Sequence, residues 1–236
     1  LNPSSILIPP ARKAGITTVL VTPQGGFLSG RAAMIQLVDG SAADMVLNPA
    51  VAMVGQVSSP QQVGAQSRGE LLERLREVLD DARTYQRRRA EYDRAQTRPF
   101  AASRLDLEAL APVLAGRLPL LMEVDKASDI ENAMKLAQDF GIRLIVGNGL
   151  EAWMVADKLA AARVPVMTGA MNNIPGSFSA LGTRQENAGL LRRAGVQVII
   201  IGNAGGGDEE AFNVRNVRFE AGNAIAYGMS RDDAGK

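Results

Sequence analysis

The side chains able to do chemistry in this chain are carboxylates and amides, and they cluster where apolar runs end. Glu123 and Asp125 flank Val124 at the close of one run, Asn148 follows a second, Asn172 and Asn173 a third, and Asn203 a fourth. Asp208 sits in the glycine-rich stretch 205–210. Such groups can offer oxygen to a hard cation, take up a proton when they are carboxylates, or hydrogen-bond a polar ligand. The chain contains no Cys and no His. This excludes Ser-His-Asp and Cys-His machinery, thiolate zinc sites and imidazole metal sites built from these residues alone. Any metal would need oxygen ligands. A second feature is the loop 25–30, Gly-Gly-Phe-Leu-Ser-Gly, where the backbone amides at Gly25 and Gly26 could cradle an anion. The competing reading is a turn that needs glycine for its backbone angles.

The elements that must carry these groups follow from periodicity. Over 236 residues, with 46% hydrophobic and 22% charged residues, the chain can bury one sizeable core. Its net charge is +1 with both signs interspersed, which argues against a nucleic-acid partner. The longest apolar runs, such as 196–201, are far shorter than the roughly 20 residues of a membrane span, so a soluble chain is expected. Absence of Cys leaves cytoplasmic and periplasmic settings equally consistent with the sequence.

The spacing predicts a strand over 16–22, a hairpin from 34–38 and 45–47 around Asp39-Gly40, and a further strand or a buried loop over 51–57. Leu71, Leu75, Val78, Ala82 and Tyr85 mark one long amphipathic helix over 68–98. From there β-branched runs alternate with helical patterns: a helix at 106–114, a strand at 118–124, a helix at 128–140, and a strand at 143–146. Helix 151–162, strand 164–168, helix 183–194 and strand 197–201 continue it, and 214–227 reads as helical. Repeated strand–helix units predict an α/β fold, either a (β/α)8 TIM barrel or an open doubly wound sheet. The glycines of 25–30 do not match the G-x-G-x-x-G dinucleotide fingerprint, and polar residues after every strand would converge on one barrel mouth. The sequence offers about six or seven barrel-type strands rather than eight, so the expected architecture is one barrel domain over 1–236, incomplete at its N-terminus, with a small hairpin insertion at about 34–47 and a long helical insertion at about 68–98.

Three segments taken in order resemble the amidohydrolase superfamily, most closely its imidazolonepropionase-related and prolidase-like branch. They are Ala14-Gly15-Ile16-Thr17-Thr18-Val19-Leu20-Val21, Glu151-Ala152-Trp153-Met154-Val155-Ala156 and the stretch from Asn213 to Ala224. The resemblance implies a metal-dependent hydrolase barrel, with zinc or another divalent metal, cutting carbon–nitrogen bonds in small amides or cyclic amides. It also implies that the first barrel strand, with its His-x-His pair, lies upstream of Leu1.

Set against that pattern, Glu123 stands where the fifth strand carries a His ligand, Asn148 where the sixth carries one, and Asn203 where the eighth carries a metal-binding Asp. One carboxylate with two amides is a poor zinc site beside imidazoles plus carboxylates. An amide at Asn203 also cannot accept a proton from metal-bound water, so the family's base would be missing. Asp125 and Asp208 are alternative bases, each also explicable as a loop carboxylate or helix cap. Two functions follow: a hydrolase acting on carbon–nitrogen bonds, or a non-catalytic barrel that binds a small amide-like ligand or stabilises an active paralogue. No cofactor is expected in this chain. Its partners would be a small molecule, contacting Gly25, Gly26 and Asn172, and a second copy or paralogue.

Overall fold

Short apolar runs and serine caps set the element order of the computed structural model, which describes residues 1–171, 175, 180–202 and 213–235. Helix α1 (Ile8–Lys13), with proline in its first turn, leads into strands β1 (Thr18–Val21) and β2 (Leu28–Gln36). Helix α2 (Ala42–Met45) begins with a capping box, in which Ser41 accepts from the Asp44 amide and the Asp44 carboxylate accepts from Ser41. Strand β3 (Val46–Gln56) follows. The Asp39-Gly40 reversal thus lies in a helical connection between two strands of the main sheet, which pair antiparallel with Met34 opposite Asn48.

Helix α3 (Arg68–Arg87) is capped by the Ser67 hydroxyl and turns Leu71, Leu75, Val78, Ala82 and Tyr85 into the core. It stops well short of residue 98. Arg88 leaves the helical region (φ −123°, ψ 32°), a short α4 (Arg89–Asp93) follows, and the chain folds back. That return stacks Tyr92 on Phe100 and sets it edge-on to Tyr85, which amphipathic periodicity does not encode. The remaining elements are α5 (Arg104–Leu114), β4 (Leu120–Val124), α6 (Ala127–Phe140), β5 (Leu144–Asn148), α7 (Ala156–Ala161), β6 (Val166–Thr168), α8 (Asn187–Arg193), β7 (Val198–Ile200), α9 (Val217–Ala226) and α10 (Arg231–Ala234).

The strands form one sheet in sequence order, β1 to β7. The first two pairings are antiparallel and the next four parallel. This overturns the expected (β/α)8 TIM barrel, incomplete at its N-terminus: among the described residues the sheet is open and mixed, with β1 and β7 at its edges. Strand–helix alternation begins only at β3, and β1 to β3 form an antiparallel meander. Both arrangements share the same apolar periodicity, so spacing could not separate them.

Within β4, Leu120, Met122 and Val124 join the large core built with Leu71, Leu75, Leu107, Ile130 and Leu159 from the helices. Leu121 joins a second cluster, with Ala32, Ala52 and Val54, on the other face. Alternation puts Glu123 on that second face. No helix among the described residues is long and apolar enough to cross a membrane.

Candidate functional site at the carboxyl ends of the strands

Parallel register assembles one row of residues at the carboxyl end of the sheet. Gln56 pairs with Glu123, Glu123 with Gly147, and Gly147 with Met167. The glycine loop reaches the same end, because β2 runs antiparallel to β3: the Gln56 amide donates to the Phe27 carbonyl at 3.0 Å, and its side chain donates to Gly26 at 3.4 Å. Gly25 and Gly26 are exposed, with φ of 93° and 71°. A Cβ at Gly26 would stand 3.2 Å from the Leu28 carbonyl oxygen, so the turn itself demands glycine there.

Asn148 ends β5 opposite Val124, with φ of +64°. Asparagine tolerates this left-handed geometry better than most residues. Gly149 follows at φ +57° and donates to the Val124 carbonyl at 3.1 Å. A side chain there would meet Val146, Val166 and Ala152 at 3.1 to 3.2 Å. The turn is locked from outside by Asn187, which is fully buried on α8. Its amide donates to the Gly149 carbonyl at 3.0 Å, and its oxygen accepts from the Trp153 backbone amide at 3.1 Å.

Asp125 leaves β4 into a polar cluster. Ser58 and the Leu150 backbone hydrogen-bond its carboxyl group, while Oδ1 is buried without a hydrogen-bond partner among the described residues. Burial pushes its pKa up, and nearby Glu151 pushes the same way; Ser58, the Leu150 backbone and Lys126 pull against it. Glu151 is itself buried, bonded to Lys126 Nζ at 2.7 Å and to the Ala127 amide at 3.1 Å. It therefore caps α6 and closes an ion pair at once. Trp153 donates through Nε1 to the Gly182 carbonyl at 2.8 Å with the Arg184 guanidinium over its ring, so it is a packing residue. Glu220 on α9 is fully buried. It accepts from the Met171 amide at 2.6 Å, and burial raises its pKa.

Of the residues singled out in the sequence, the structure brings Gly25, Gly26, Glu123, Asp125 and Asn148 to one end of the sheet. Asn172, Asn203 and Asp208 lie outside the described residues. Ser58, Lys126, Asn187 and Glu220 were missed, and their only signal is long-range: Asn187 and Trp153 are 34 positions apart.

The zinc of the resembled family can be tested against this donor set. Glu123 contributes one carboxylate, Asn148 a neutral amide, and Asp125 is tied to Ser58 and Leu150. No group of three or more Asp or Glu residues among those described could hold a metal ion. These residues do not fit zinc.

Over 99% of its length the chain superposes on an amidohydrolase from Thermotoga maritima MSB8, with a TM-score of 0.83 and 20% sequence identity. The chain has an amidohydrolase-like fold. It spans 62% of that protein's length, and at this identity the likeness shows the fold alone. No protein-family model matches the sequence, and no curated protein does.

Proposed function

We propose that this amidohydrolase-like chain binds a small amide-like ligand at the carboxyl ends of β3 to β6 without performing zinc-dependent hydrolysis through its own residues. The observation that carries this reading is that a carboxylate, Glu123, and a neutral amide, Asn148, stand one register step apart at the ends of neighbouring strands, Glu123 opposite Gly147 and Asn148 opposite Val124. Beside Glu123 lie Gln56, in register with it, and the Gly26 carbonyl that the Gln56 side chain bonds at 3.4 Å, and in this reading a neutral polar ligand would compete for these groups. Asp125 and Glu151 are committed to packing the strand ends and are positioning residues in this scheme. The protein would act as a ligand-binding member of its superfamily or as a stabilising partner of an active paralogue.

A second reading is a hydrolase of carbon–nitrogen bonds from the imidazolonepropionase-related or prolidase-like branch: the sequence resemblance suggests the branch and activity, and the TM-score of 0.83 to a protein described as an amidohydrolase supports the fold. One experiment separates the two. The protein is purified, its zinc content measured by elemental analysis, and turnover of a dipeptide and a five-membered cyclic amide followed with added zinc. The binding reading expects substoichiometric zinc and no metal-dependent turnover, and it expects the triple variant Glu123→His, Asn148→His, Asn203→Asp to be inactive as well. Stoichiometric zinc together with turnover lost on chelation would overturn it in favour of the hydrolase.

A further inference from the structure

A groove of about 920 Å³ opens at the amino ends of the parallel strands, at the opposite end of the sheet from Glu123. Its volume falls within the roughly 300–1,000 Å³ of small-molecule sites. The wall includes Met134, Ile142, Leu144, Ile145 and Val164. Four cations line it, Lys135, Arg143, Lys158 and Arg163, against a single carboxylate, Glu131. That carboxylate is already paired with Lys158. Among the described residues Lys135 and Arg163 form no ion pair. The groove thus combines an apolar wall with uncompensated positive charge.

The backbone at Arg163 is the second observation. Three of the turns that lead from a helix into a parallel strand share one construction: the amide just after the left-handed residue donates back five positions, from Ile142 to Ala137, Val164 to Leu159 and Val196 to Leu191. The left-handed position is glycine in two of them, Gly141 at φ +68° and Gly195 at φ +89°. In the third it is Arg163, at φ +54°. Glycine would make that turn without strain, and an unbranched cation in its place lines the groove.

The geometry points to a binding site for a small organic phosphate, an anionic head on an apolar body, with Arg163 as its anchor. A multiply charged head suits the clustered cations, since guanidinium and ammonium groups make charge-assisted bonds to phosphate oxygens. The apolar body would cover Met134 and Ile145. This site is independent of the reading at the carboxyl ends of the strands.

Isothermal titration calorimetry with phenyl phosphate tests it. One saturable site is expected, weakened about tenfold by Arg163→Gly, the loss of one charge-assisted bond. The melting temperature of that variant should not fall, because glycine relieves the turn. Lys135→Gln, on the exposed side of α6, should weaken binding in the same direction if Arg163→Gly proves difficult to fold. Arg104→Gln, an exposed cation outside the groove, should bind as the parent does, and inorganic phosphate should bind more weakly than phenyl phosphate. Absence of saturable binding, parental affinity in Arg163→Gly or Lys135→Gln, an equal loss in Arg104→Gln, or inorganic phosphate binding as tightly would each overturn the proposal.

Discussion

Removing the Asn187 side chain should unlock the end of β5, and the cost can be worked from its two bonds. In Asn187→Ala the Trp153 backbone amide loses its acceptor at 3.1 Å and the Gly149 carbonyl loses a donor at 3.0 Å. The losses are unequal. The Gly149 carbonyl still accepts from the Ala152 amide at 3.0 Å, whereas Trp153 lies in the first turn of a 3-10 helix (Ala152–Val155), where amides have no partner within the helix. The orphaned donor costs about 1–3 kcal/mol and the shared carbonyl about 1 kcal/mol, and the void left by the amide adds a little. A total of about 3 kcal/mol follows. For a 236-residue chain the unfolding entropy near the midpoint is about 0.5 kcal/mol/K, so the melting temperature should drop by about 6 °C. Urea unfolding followed by circular dichroism, with an unchanged m-value, measures the loss directly. Asn187→Asp keeps the acceptor for Trp153 but turns a carboxylate toward the Gly149 carbonyl, so it should lose at least as much. A loss below about 1 kcal/mol in Asn187→Ala, or parental stability in Asn187→Asp, would refute the assignment of Asn187 as the lock.

Gly149→Ala places a methyl group 3.1 Å from two branched valine side chains and holds a non-glycine residue at φ +57°. It should cost about 2–3 kcal/mol in the same urea assay, and a neutral substitution would show that the turn relaxes freely. Asp125→Asn addresses the buried carboxyl group. Burial raises its folded pKa, so its contribution to stability is fully present below the unfolded value and lost as pH rises through the folded one. The variant should therefore be more stable than the parent at pH 7 and converge with it toward acid, and parallel unfolding profiles from pH 4 to 8 would contradict this.

The strand ends were legible because they depend on local pattern. Apolar runs ending at Val124 and Val146 placed Glu123 and Asn148 at the mouths of neighbouring strands, and the register joins those two strands in parallel with Glu123 opposite Gly147. Helix α6 was equally readable from its stripe of Ile130, Ala133, Leu136 and Ala137, with Gly141 ending it in the left-handed conformation. The break at Arg88 was not, since the residues on either side keep good helix propensity and the chain's return is held by contacts distant in sequence, Tyr92 on Phe100 and the Ala101 amide on the buried Asp81 carboxylate.

What the sequence determined by itself was the donor inventory and the alternation of elements. Without Cys or His, no thiolate or imidazole can come from these residues in any conformation, because that limit is chemical and independent of fold. Tertiary structure decided how the sheet is built and which polar groups meet. An antiparallel meander of β1 to β3 and a closed barrel demand the same apolar periodicity; the difference lies in pairings across the chain, which no local pattern encodes. The same holds for Asn187 bridging Gly149 and Trp153, and for Glu220 reaching Met171 from 49 positions away. Each is a buried polar group whose partner is chosen by packing, since only a folded interior removes the water that would otherwise satisfy it.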